Sequence, residues 1–98
     1  MDYILVKEVA MVLRSLNHRT RQEILKNISL TKDISITELS KKMHLELSVL
    51  SQHIAILRKN KILNITRDGK FITYSINEEY MLSINNFIIE FITESKKY

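Results

Sequence analysis

Residues 46–60, ELSVLSQHIAILRKN, space hydrogen-bonding groups so that they could read the edges of base pairs. Wound at about 3.6 residues per turn, Leu47, Leu50, Ile54 and Leu57 fall on one stripe, the pattern of a buried face. Ser48, Gln52, Ala55 and Lys59 point the other way. This outward stripe has short polar side chains, a small alanine at its middle and no acid, so nothing bulky or like-charged holds it away from a duplex. A glutamine here can pair bidentately with adenine, and Ser48 and Ser51 can bond bases or phosphate. His53 flanks the buried stripe. It suits packing with a hydrogen bond to backbone or phosphate better than a titrating or metal-binding role. The DNA-contacting candidates are Thr37, Ser48, Val49, Ser51, Gln52, His53, Arg58, Lys59, Arg67 and Lys70.

Those residues need a frame. Ser35-x-x-Glu38 is a capping box that opens a short helix to about Met43, burying Leu39 and Met43. Ile34–Ile36 can pair briefly as a strand. His44 stands where that helix stops, a place that often needs left-handed backbone, which histidine tolerates better than most residues. After the reading helix, Leu63–Arg67 and Lys70–Ile76 are β-rich runs separated by Asp68-Gly69, a strong hairpin signal. With that two-residue turn, Arg67 faces Lys70, Ile65 faces Ile72 and Leu63 faces Tyr74, leaving Thr66, Phe71 and Thr73 outward. Arg67 and Lys70 suit phosphate or minor-groove contact, and the same charges would block edge-to-edge aggregation. Helix, turn, helix and basic hairpin together predict a mainly α fold with a small β-wing: a winged helix-turn-helix of about five helices and one hairpin.

The 98 residues form one domain, 1–98, of ordinary globular composition, 45% hydrophobic and 27% charged. Net charge is +4, and from Arg58 to Lys70 five bases (Arg58, Lys59, Lys61, Arg67, Lys70) face one acid, Asp68. The surplus thus lies on the reading helix and its hairpin, as a nucleic-acid footprint requires. The absence of cysteine excludes disulfides, thiolate metal sites and thiol redox sensing. Asp2, Lys7, Glu8 and Arg14 interrupt the apolar N-terminal stretch, which excludes a signal core or membrane span there and leaves a cytoplasmic expectation. A first helix is expected over about 3–16 and a second over Arg19–Asn27, with His18 as a polar start residue and Ser29–Asp33 as a polar loop. The last helix covers about 78–94, and Lys96-Lys97 reads as a solvated tail. Both terminal helices carry more apolar surface than one small core can cover. They predict a homodimer seam using Ile4, Leu5, Val9, Val12, Ile84, Phe87, Ile88 and Phe91.

From Leu16 to Ile76 the chain resembles the ArsR-type winged-helix repressors. LNHRTRQEIL is similar to that family's second-helix opening, ITELSKKMHLELSVLSQHIAILRKNKIL to its helix-turn-helix and RDGKFITYSIN to its wing. The resemblance implies a dimeric regulator on a palindromic operator, released by an inducer that is often a metal ion. Several positions depart from the family pattern. The family usually has proline at Arg19, glycine at His44 and Lys61, and serine at Glu46. Its thiolate pair would fall on Ser35 and Thr37, neither of which is a soft-metal ligand, and its C-terminal-helix site needs histidine, which the last helix lacks. The resemblance therefore implies DNA binding and dimerisation but not metal sensing, and the residues lead to the expectation of no metal, no cofactor and an inducer of unknown identity. An enzyme is rejected, because no nucleophile–base pair, phosphate loop or metal cluster is visible. A winged helix that binds RNA or protein without operator specificity is the alternative.

Overall fold

The computed structural model describes residues 2–96, so Lys97 of the expected solvated tail lies outside the described residues. Helix α1 (Tyr3–Leu16) opens on Asp2, whose carboxylate accepts the N–H groups of Ile4 and Leu5 at 2.9 and 3.3 Å. Helix α2 (Arg19–Leu30) opens on His18, whose Nδ1 accepts the Thr20 N–H at 3.1 Å. The corner between them is closed by side chains: Arg21 Nε donates to the Ser15 carbonyl at 2.6 Å and Gln22 Nε2 to the Leu16 carbonyl at 2.8 Å. These are carbonyls that a helix end leaves unpaired.

Helix α2 runs to Leu30, taking in Ser29 and Leu30 of the Ser29–Asp33 stretch expected as a loop. Its polar side chains fold back onto the helix instead of breaking it: Asn27 Nδ2 donates to the Glu23 carbonyl at 2.9 Å and Ser29 Oγ to that of Lys26 at 2.8 Å. Asp33, at φ 56°, turns the chain into β1 (Ile34–Ser35). The capping box then forms as expected, with Ser35 and Glu38 exchanging hydrogen bonds at 3.2 and 3.3 Å to start α3 (Ile36–Met43). Helix α4 (Leu47–Lys59), strands β2 (Leu63–Asp68) and β3 (Phe71–Ile76), and helix α5 (Glu78–Ser95) complete the chain.

The three strands form one antiparallel sheet in the order β1-β3-β2, with Ile34 opposite Tyr74. The hairpin register differs from expectation. Leu63 pairs with Ile76, Ile65 with Tyr74, Arg67 with Ile72 and Asp68 with Phe71, so the two loop residues are Gly69-Lys70 and Asp68 ends a strand. Gly69 has φ +60° and Lys70 is not among the positive-φ residues. That fits a type II′ turn, which needs positive φ at its first loop position alone, rather than the type I′ turn expected for Asp-Gly. Because the slip is two residues, every side chain keeps its expected face.

The core joins Ile24 and Ile28 of α2, Ile34, Leu39, the α4 residues Leu50, Ile54 and Leu57, Ile62, Leu63 and Tyr74. Val9, Val12 and Ile84 join it from the terminal helices, at 7, 1 and 7% exposure. They were expected at an intermolecular seam, but the chain buries them within itself. Leu47, expected inward, is 48% exposed at the first position of α4. The chain extends 51 × 25 × 22 Å, with a radius of gyration of 15.4 Å. A compact domain of this length has roughly 13 Å. No helix among the described residues is long and apolar enough to cross a membrane.

Candidate nucleic-acid interface

Two left-handed residues bracket α4. His44, at φ 53°, ends α3, and the Leu45 N–H returns to the Ser40 carbonyl at 3.2 Å while Ser40 Oγ donates to the Leu45 carbonyl at 2.5 Å. Helices α3 and α4 joined by this closed turn are in contact, and Leu39, Leu50 and Ile54 belong to one core. Ser48, Val49, Ser51, Gln52, Ala55, Arg58 and Lys59 are all exposed on α4, and Thr37 is exposed on the first turn of α3. Glu46, at the N-cap, makes no side-chain hydrogen bond to the helix, so the first N–H groups of α4 have no side-chain cap. Uncapped N–H groups at a helix start are natural phosphate partners.

His53 is only partly exposed and turns toward α2. Its ring lies 4.7 Å from that of His18, tilted by 50°, and its Nδ1 is 3.5 Å from Arg21 Nη1. Arg21 can only donate, so a neutral His53 accepts on Nδ1 and carries its proton on Nε2. Burial, then the neighbouring His18 and Arg21, lower the His53 pKa below the ordinary 6.5. The same Arg21 also holds the end of α1 through the Ser15 carbonyl, so a single guanidinium spans α1, α2 and α4.

The other end of α4 is tied as well. Lys61, at φ 62°, donates its N–H to the Arg58 carbonyl at 2.9 Å. Its ammonium lies 3.7 Å from Glu8 of α1 and 5.7 Å above the ring of Tyr80 in α5. The Tyr80 hydroxyl donates to Glu8 Oε1 at 2.6 Å. Burial, then that hydrogen bond and the Glu8 charge, push the Tyr80 pKa up to about 12. Sequence reasoning gave Glu8, Arg21 and the Tyr80 hydroxyl no part in this site. A signal was present for Glu8 and Tyr80: an acid within an apolar stripe and a half-buried phenol each need a polar partner.

Beyond α4 the hairpin carries Arg67 and Lys70 outward at its exposed tip, with Phe71 beside them at 74% exposure. Helices α1 and α5 leave between them an apolar groove of about 280 Å³, lined by Val6, Val9, Ala10, Leu13, Phe87, Ile88 and Phe91. Ile4 and Leu5 are also exposed, at 80 and 41%. Among the described residues no three His, Cys, Asp or Glu side chains converge to hold a metal ion.

No family model matches the chain. It is 30% identical over 76 residues to the transcriptional repressor PagR of Bacillus anthracis, covering 78% of this chain and 76% of that protein. It is 29% identical over 70 residues to the transcriptional activator HlyU of Vibrio cholerae, covering 71 and 64%. The crystal structure of PagR superposes with a TM-score of 0.72 at 29% identity, over 78% of this chain and 86% of that one. An ArsR-like regulator from Rhodococcus sp. RHA1 shares the fold at TM-score 0.86 and 20% identity, over 94 and 86%. With these relatives, the exposed acid-free face of α4 and the basic wing beside it, the chain belongs to the ArsR-type family of winged helix-turn-helix transcriptional regulators.

Proposed function

We propose that the chain works as a homodimer that reads a palindromic duplex and represses transcription from it, without the thiolate and histidine metal sites known in the family. The observation that carries this reading is the outward face of α4. Ser48, Ser51 and Gln52 are exposed together with no acid between Leu47 and Lys59, and the basic hairpin lies beside them. In this reading Gln52 contacts a base edge and Ser48 and Ser51 bond bases or phosphate. Arg58, Lys59, Arg67 and Lys70 neutralise phosphates and set the register. The groove between α1 and α5 is where a second copy docks, through Leu5, Leu13, Phe87, Ile88 and Phe91. A two-fold axis there presents two reading helices to half-sites about one helical turn, roughly 34 Å, apart.

Sequencing the duplexes that the purified protein retains from a random pool tests this. The expected result is a palindromic motif, bound at least about tenfold more tightly than mixed-sequence DNA, well within the usual specificity range. Retention without a motif, or retention of RNA in preference, would replace the proposal with a winged helix that lacks operator specificity.

A further inference from the structure

Phe71 occupies an unusual place. It begins β3 and lies opposite Asp68 in the last rung before the Gly69-Lys70 loop at the hairpin's tip. It is 74% exposed, while the next aromatic along the strand, Tyr74, is buried at 8%. Lys70 precedes it, and Arg67 is on the facing strand next to Asp68. A large apolar ring on a narrow two-stranded tip that also carries two cations fits a groove whose walls are phosphates and whose floor is stacked bases. Small-groove binders use apolar side chains in this way, as wedges at a base step.

We propose that Phe71 is a wing-tip wedge that enters the minor groove and contacts a base step there, with Asp68 choosing the step. A carboxylate accepts hydrogen bonds and does not donate them. On the minor-groove floor A·T pairs show only acceptors, and the one donor available is the guanine amino group. A wedge favours flexible pyrimidine–purine steps, of which TA and CA/TG are the easily unstacked ones. Of these two, only CA/TG also offers a guanine amino group to Asp68. The wing therefore prefers CA/TG to TA at the position it touches. Arg67 and Lys70 draw the tip toward the backbones on either side and offset the repulsion between Asp68 and phosphate.

This inference rests on the duplex-binding reading above, and the experiment separates the two. Operator binding is measured over a range of salt for the full chain and for Phe71→Ala, Phe71→Leu, Asp68→Asn and Lys70→Ala, with melting curves for each protein. Because Phe71 is exposed, its variants fold as the parent does. Phe71→Ala should weaken binding by roughly tenfold with an unchanged salt slope, as expected for lost contact with a base, and Phe71→Leu by less. Lys70→Ala should lower the slope of log K against log salt by about 0.9. Asp68→Asn should abolish the preference for CA/TG over TA. A 2-aminopurine at the wing step should brighten on binding the parent but not Phe71→Ala. Binding by Phe71→Ala within twofold of the parent, a reduced salt slope for that variant, or a dark 2-aminopurine with the parent would overturn the proposal. So would a Phe71→Ala protein whose oligomeric state has changed, since the ring would then pack on a second copy. If the parent binds no duplex, the duplex-binding reading itself fails.

Discussion

Leu13 offers a sharp test of the proposed dimer because it belongs to the groove without belonging to the core. It lines the apolar cleft between α1 and α5 and is 49% exposed in the single chain. Fully burying a leucine side chain stabilises by about 1.5–3 kcal/mol, so a half-covered one has about 1 kcal/mol left to gain. A two-fold interface uses the residue twice, and truncation to alanine should therefore weaken the dimer by about 2 kcal/mol, or roughly thirtyfold. Leu13→Glu should do more. It forces two carboxylates into an apolar seam, at a further cost of several kcal/mol, while glutamate remains a good helix former and leaves α1 intact. The expected result is a dimer for the parent protein and a monomer for Leu13→Glu by sedimentation equilibrium at micromolar concentration, with similar helix content in both. Operator affinity should fall in parallel, because one reading helix then binds a half-site alone. A parent that is monomeric, or a Leu13→Glu protein that stays dimeric with unchanged affinity, would refute the assignment of the groove.

Other consequences can be checked separately. Gln52→Ala should lose about 1–3 kcal/mol of discrimination at one base position; equal weakening of all sequences would make Gln52 a positioning contact. Tyr80→Phe removes a 2.6 Å hydrogen bond to a carboxylate in a half-open site. It should cost about 1 kcal/mol, or roughly 4–8 °C in melting temperature. Because the folded-state Tyr80 pKa is raised from 10.0 to about 12, its contribution is complete below pH 10 and lost as pH climbs toward 12. Tyr80→Phe should therefore flatten the alkaline fall in the urea midpoint. His53 has the opposite sign. Its folded pKa is lowered from 6.5, so its contribution is present above pH 6.5 and lost as pH falls through the lowered value. His53→Gln should reduce the acid sensitivity of the urea midpoint, and an unchanged acid limb would remove His53 from its causes. Micromolar zinc, cadmium or arsenite should leave operator affinity within about twofold, since arsenite and soft cations need thiolates that the chain lacks, and no three His, Asp or Glu side chains converge for zinc among the described residues; stoichiometric release by any of them would disprove this.

The elements were legible where local chemistry agrees with the fold. The Ser35–Glu38 capping box, the left-handed His44 and the inward stripe of Leu50, Ile54 and Leu57 each follow from a side chain acting on its own helix. The errors arise where two local rules compete. Asp68-Gly69 is a stronger turn signal than Gly69-Lys70, yet the strands pair Ile65 with Tyr74 and Leu63 with Ile76; both registers keep every side chain on the same face, so the apolar alternation could not choose between them. Asn27 and Ser29 signal a break, yet each can satisfy itself by bonding back along the helix, so α2 runs on to Leu30. Hydrophobic periodicity on α1 marks an apolar stripe but cannot divide it between the chain's own core and a partner. Val9 and Val12 go to the former, and Ile4 and Leu13 stay exposed. The long-range ties were not legible, because Tyr80 and Glu8 are 72 residues apart and Arg21 and His53 are 32 apart.

Those two ties bear on how a duplex would be released. Toward one side, His53 meets Arg21, which also grips the last turn of α1. At its C-terminal end, α4 runs into Lys61, held in left-handed backbone where the family usually has glycine. Such a conformation costs an ordinary L-residue about 1–2 kcal/mol. The Lys61 side chain reaches Glu8 of α1 and the Tyr80 ring of α5, contacts that a glycine could not make. The reading helix is therefore fastened at two points to α1 and at one to α5, the helices of the proposed seam. In a dimer built on those helices, the distance between the two reading faces is set by the same fastenings. Release by a conformational route then works by breaking the Arg21–His53 contact or the Glu8–Tyr80–Lys61 cluster, by rotating the two chains about the seam, or by separating them.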